Sequence, residues 1–196
     1  MFVFGLISQV LIYGTTAFLQ PTLAIHLKSY EMETFWIGVF FSLPAVAYIL
    51  GALLVPSAQS LIGRRGLIFT AFMMLLLSVI LIGTSPMFRI RDSPKIVFSG
   101  LCLLGLSASA ITIPVLPEML DSIVQKWPQL ENTKELNDVS AGYFNGSLGI
   151  GEALGPAIAS LLVASMGFRS SCDVLAMTIL VYTLLFFLFN GRQDIF

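Results

Sequence analysis

The chain has 196 residues, of which 57% are hydrophobic and 11% charged, and its mean hydropathy is +0.92. A soluble domain carries about 25% charged residues, so this composition excludes a soluble globular protein and points to a multi-pass integral membrane protein whose first partner is the lipid bilayer. A net charge of −1 offers no basic surface for nucleic acid, and Cys102 and Cys172 have neither disulfide nor metal-ligand spacing. A cleavable signal peptide is not expected, because the first apolar run is too long and lacks a basic leader.

A membrane-spanning helix needs about 20 largely apolar residues. Six stretches qualify: 2–27, 35–56, 66–85, 94–120, 138–166 and 173–190. None alternates as a membrane strand would. The expected fold is an all-α membrane protein, with residues 1–196 forming one domain of six transmembrane helices.

In the first stretch, Gln9, Tyr13, Thr16 and Gln20 share one helical face. Hydrogen-bonded packing against a neighbour and the lining of a cavity both fit this face. Pro21 predicts a kink or the end of the regular helix. His26, the only histidine, lies beside Lys28. An interfacial histidine is the simpler reading, and a proton-coupling histidine the alternative, because histidine titrates near neutral pH.

The second stretch opens on Phe35 and Trp36, an interface anchor. Pro44, Tyr48 and Gly51 follow on one face, and Pro44 predicts a bend. A short loop, SAQSLIGRRG at 57–66, then carries Gly63, Arg64 and Arg65. The third stretch has no polar stripe and is expected to face lipid.

The fourth stretch carries Ser99, Gly100, Gly105, Ser107, Ser109 and Thr112. Pro114 and Pro117 predict a break or a bend near its end. Glu118 and Asp121 then lie at the membrane edge, as solvated carboxylates or as gating groups. The polar stretch 122–138 has apolar spacing that suits either a surface-lying helix or a plain loop.

The fifth stretch holds Glu152 deep in an otherwise uncharged span. An intramembrane carboxylate is a functional-site candidate by default, with a structural hydrogen-bonding role as the alternative. Asp138, Asn145 and Glu152 recur every seven residues and share a face. Ser147, Gly151, Gly155 and Ala159 form a small-residue row suited to close helix packing. Pro156 predicts a bend beyond Glu152. The sixth stretch is as bland as the third.

Two polar stretches and a bland one therefore occur twice. That order reads as a three-plus-three repeat. Three crossings are odd in number, so the triplets would be inverted, as in secondary transporters. Charge counting does not orient the chain: Arg64, Arg65, Lys126, Lys134 and Arg192 fall on one side, and Lys28, Arg89, Arg91, Lys95 and Arg169 on the other. The chain has no phosphate-binding loop, no metal-ligand cluster and no nucleophile–base pair. No enzymatic activity, metal or cofactor is expected.

GEALGP at 151–156 resembles the GxxxGP signature of the major facilitator superfamily, and IGRR at 62–65 resembles the end of its cytoplasmic loop motif. FLQPTLAIHL at 18–27, IPVLPEML at 113–120 and the run from Ser140 through Pro156 to Gly167-Phe168-Arg169 are similar to the vesicular amine transporter family, nearest its polyamine branch. The resemblance implies the C-terminal six-helix half of a twelve-helix transporter. It implies an organic amine or polyamine as substrate, exchanged for protons by alternating access across a vesicle or vacuole membrane. A second six-helix half would come from the same product, a separate chain or another copy. Glu152, Asn145, Gln20 and Tyr48 are then the candidate substrate- or proton-binding residues. Gly151, Gly155, Pro156 and Ser147 are the helix-packing residues, and Gly63, Arg64 and Arg65 the loop motif. A non-transporting membrane subunit and an oligomeric pore are the rival expectations.

Overall fold

A computed structural model of the chain describes residues 1–131 and 133–190. Arg192, counted in the charge balance above, and the rest of the tail lie outside the described residues. Four long helices dominate: α1 (Phe2–Lys28), α2 (Thr34–Ile82), α3 (Pro94–Val124) and α4 (Lys134–Asn190). Each is long and apolar enough to cross a membrane, and no strand occurs among the described residues.

The expected six separate helices are thus four helical runs. The loops expected at 57–66 and after 166 are absent; α2 and α4 continue through both places, each with one non-helical residue. At 49 and 57 residues, α2 and α4 would measure about 73 and 85 Å if straight, against a hydrocarbon core of about 30 Å. Neither is straight. Gly63 (φ 72°, ψ 168°) and Gly167 (φ 79°, ψ 164°) leave the helical region, and contacts on their two sides run in opposite directions.

Before Gly63, α2 follows α3 in parallel. Phe40 meets Phe98, Pro44 lies on Gly105, Gly51 on Leu106, and Arg65 reaches Glu118 just past the turn. Beyond it α2 returns: Ser78 Oγ donates to the Gly100 carbonyl at 2.9 Å, and Ile82 lies against Gly100. α4 does the same along α1. Tyr143 meets Phe2, Gly151 meets Val10, Gly155 meets Gly14, and Phe168 meets His26. On the way back, the Tyr182 hydroxyl donates to the Phe4 carbonyl at 2.6 Å.

Each long helix therefore doubles back on one glycine. That φ/ψ combination is essentially restricted to glycine, and nothing lies within 4 Å of where a Cβ would stand at either position. A break near Pro114 and Pro117 does not occur. Pro21, Pro44, Pro56, Pro114, Pro117 and Pro156 all lie inside helices, and none ends one. Packed neighbours and small local adjustments make proline tolerable in such helices, whereas positive φ cannot be absorbed by a helix at all.

The bland stretches 66–85 and 173–190 contribute to the core as well as to the outer surface. Phe72, Leu75, Ile179 and Phe186 are fully buried, while Leu77, Val181 and Leu188 on the same stretches are at least half exposed. An apolar residue suits protein and lipid alike, so a helix that is apolar all round does not disclose which side faces which. Leu53, Leu61 and Leu161 are more than 70% exposed, an apolar exterior compatible with an integral membrane protein. Between α3 and α4, the described residues of the polar stretch form a 3₁₀ turn at Pro128–Leu130 with no buried residue, and no long surface helix.

Candidate functional site

A cleft of about 450 Å³ opens between α1, the outgoing arm of α2 and α3. Its polar groups are Tyr13, Thr16 and Gln20 from α1, Tyr48 from α2 and Thr112 from α3. Phe41, Ile12, Leu23 and Leu104 supply apolar walls. Close backbone approach shapes its floor: Gly105 lies directly on the Pro44 carbonyl, and any side chain there would strike it. The Thr16 hydroxyl is turned back to the Ile12 carbonyl at 2.9 Å, which leaves the tyrosine hydroxyls, the Thr112 hydroxyl and the Gln20 amide to meet a solute. Such a cleft, apolar with a few convergent polar groups, has the make-up of a small-molecule site.

The structure brings Gln20 and Tyr48 into this cleft but not Glu152 or Asn145. Those two lie exposed on an open face of α4 together with Asp138. The glycines beside them, Gly142, Gly146 and Gly149, have nothing within 4 Å of a would-be Cβ. Tyr13 separates the two surfaces. It lines the cleft, and its Cβ lies 3.2 Å from the Cβ position of Gly151, the residue before Glu152.

The small-residue row of α4 lies on α1. A Cβ on Gly151 would stand 2.7 Å from the Val10 carbonyl oxygen, and one on Gly155 2.6 Å from that of Gly14. Ser147 is buried and donates to the Phe144 carbonyl at 2.7 Å, and Pro156 is half-buried within the same helix. The face expected of Gln9, Tyr13, Thr16 and Gln20 is split. Gln9 is fully buried away from the cleft, and neither of its amide atoms has a hydrogen-bond partner among the described residues.

Charged groups gather at both ends of the bundle. At the Gly63 end, Arg65 Nε donates to Glu118 Oε1 at 2.6 Å, with both side chains largely buried. Arg64 pairs with Asp121 in a more exposed setting. At the Gly167 end, Tyr30 donates to Asp92 and lies 2.9 Å from His26 Nε2. Burial, then the hydrogen bond to Asp92, pushes the Tyr30 phenol above its usual pKa. Arg169 donates to the Thr84 and Ile90 carbonyls. Sequence reading missed this second cluster. Its members come from three separate parts of the chain, and the signals were His26 itself and the arginine two residues after Gly167, matching Arg65 after Gly63.

No protein-family model matches the chain, and no curated protein matches it significantly.

Proposed function

We propose that the chain is one half of a membrane transporter, in which α1, α3 and the two arms each of α2 and α4 make six crossings as an inverted three-plus-three repeat. The observation that carries this reading is a recurrence of contacts. Gly51 and Pro56 recur as Gly151 and Pro156. Gly51 packs on Leu106 of α3, and Gly151 on Val10 of α1. Ser78 bonds the Gly100 carbonyl, and Tyr182 that of Phe4. The doubling-back glycines share one backbone conformation. The first helix of each triplet thus lies along the doubled-back helix of the other, and interlocked repeats of opposite orientation are the architecture of secondary transporters.

The solute is a small organic cation, an amine or polyamine. Tyr13, Tyr48 and Phe41 offer aromatic faces to such a cation, and Gln20 a polar end. Glu152 and Asn145 stand on an open wall that a second six-helix half would cover, and there Glu152 exchanges a proton for the cation. The resemblance of 151–156 and 62–65 to major facilitator motifs, and of longer stretches to vesicular amine transporters, supports the same reading and favours a vesicle or vacuole membrane.

The chain in acid-loaded liposomes, reconstituted at a density that lets two copies pair or together with a second six-helix half, tests this with radiolabelled spermidine. Accumulation driven by the pH gradient is expected, abolished by Glu152→Gln and reduced about fivefold by Tyr48→Phe or Gln20→Ala, the loss of one hydrogen bond each. A Glu152→Gln chain that still concentrates the amine would sink the coupling role. No gradient-driven uptake of any amine, alone or with a second half, would favour the rival reading, a non-transporting membrane subunit whose open α4 face binds its partner.

A further inference from the structure

At the Gly167 end, one ring joins three separate turns of the chain. Tyr30 has a single hydroxyl proton and donates it to Asp92 Oδ1. Its oxygen must therefore accept from His26 Nε2, 2.9 Å away, so His26 carries its proton on Nε2 and leaves Nδ1 basic. The imidazole stacks on Phe168, with centroids 4.5 Å apart and planes at 26°. Phe168 directly follows the glycine that turns α4 back. Arg169, next in line, donates to the Thr84 carbonyl at 3.1 and 2.5 Å and to that of Ile90 at 3.2 Å. Thr84 Oγ1 in turn donates to Asp92 Oδ1 at 3.1 Å.

Backbone strain collects in the same place. Glu31 (φ 57°), Thr84 (φ 41°) and Arg89 (φ 53°) are the non-glycine residues with positive φ among those described. All three lie in the connections flanking α2. For a β-branched residue such as Thr84 this is an outlier, and it persists only where surrounding contacts hold it.

We propose that His26 is a proton-binding site that latches this end of the bundle: the neutral ring holds Phe168 and the Gly167 turn against the two connections, and protonation at Nδ1 releases them. The titratable or charged groups facing it are Tyr30, Asp92 and Arg169. Its side chain is only 9% exposed. A second proton would place a cation in this closed setting beside the Arg169 guanidinium. Asp92 Oδ1, 3.7 Å away, is the opposing charge among the described residues, and it already accepts from Tyr30 and Thr84. The neutral ring suits these contacts and the imidazolium does not. Release would let the strained Thr84 backbone relax.

The latch is read in the purified full chain in lipid nanodiscs without substrate, so it stands or falls separately from transport. His26 is the only histidine, so labelling histidine with ¹⁵N gives one imidazole to follow. The expected spectrum at high pH is the Nε2–H tautomer. As the ring titrates, amide exchange across 84–90 and 167–169 should rise at least tenfold. With exchange corrected for its intrinsic pH dependence, His26→Gln, which cannot take up a proton, should abolish the pH dependence, and Phe168→Leu, which leaves the histidine titratable but removes the stack, should make exchange fast at every pH. An Nδ1–H tautomer, or exchange that ignores the histidine titration, or acid-induced exchange that survives His26→Gln with the helical content intact, would overturn the latch.

Discussion

Gly63 and Gly167 hold nearly the same backbone conformation, φ 72° and ψ 168° against φ 79° and ψ 164°, at the two places where a long helix doubles back. Neither has any atom within 4 Å of its missing side chain. The constraint on both is therefore backbone strain and not space. Alanine at either position should destabilise the chain by about 1–3 kcal/mol. Unfolding midpoints in mild detergent against added denaturing detergent will measure it. A wild-type midpoint for both variants would show that the turns form without positive φ.

A second group of glycines is constrained by space instead. Gly151 and Gly105 hold helical φ, but a methyl group on either would meet backbone atoms of a neighbouring helix, Val10 and Gly14 for the first and Pro44 for the second. Backbone cannot swing aside as a flexible side chain can, so Gly151→Ala and Gly105→Ala should each cost about 1–3 kcal/mol. Gly149→Ala faces open space and should be neutral or stabilise by up to about 1 kcal/mol. The contrast between Gly151 and Gly149, two residues apart, is the measurement of interest.

The two arginine–carboxylate pairs at the Gly63 end differ in burial. Arg65 and Glu118 side chains are 14% and 9% exposed, Arg64 and Asp121 41% and 54%. Neutralising Glu118 weakens a charge-assisted hydrogen bond in a poorly solvated place, so Glu118→Gln should cost about 1.5–3 kcal/mol. Asp121→Asn should cost less than about 1 kcal/mol, because water and salt screen the outer pair. Double-mutant cycles on unfolding free energy separate the two, and equal values would refute this ranking.

Tyr30 gives a pH dependence. Its pKa is raised in the folded chain, first by burial and then by the hydrogen bond to Asp92. The unfolded phenol titrates near about pH 10. A group whose folded pKa is raised contributes stability that is present below its unfolded pKa and lost as pH climbs toward the folded value. Stability should therefore fall above about pH 10, and Tyr30→Phe should flatten that alkaline limb. A limb unchanged in Tyr30→Phe would assign the effect to other groups.

Much of this was legible in the chain itself. Stretches of about 20 apolar residues predict membrane helices because lipid leaves a backbone no other hydrogen-bond partner. The Gly151–Gly155 row marked a close approach because glycines in a helix weaken it unless a neighbour uses the space. The face of Tyr13, Thr16 and Gln20 was readable from helical spacing, and so was Tyr48 beside Pro44. Less was readable where two physical causes leave the same pattern. Gln9 has the spacing of its cleft-lining neighbours yet is buried, because periodicity assigns a direction around the helix and not what stands there. Glu152 shares no cavity with Gln20, because its face and the cleft lie on either side of Tyr13.

What the sequence by itself determined is the membrane character, the all-helical backbone and the glycines on which close packing depends, since these follow from hydropathy and from backbone chemistry within a few residues. Tertiary structure alone decided that the turns after 62 and 166 shrink to single glycines, that α1 runs along α4 and α3 along α2, and that His26, Tyr30, Asp92 and Arg169 meet at one end. Those outcomes depend on contacts between residues far apart in the chain, and local spacing carries no record of which distant helix arrives opposite.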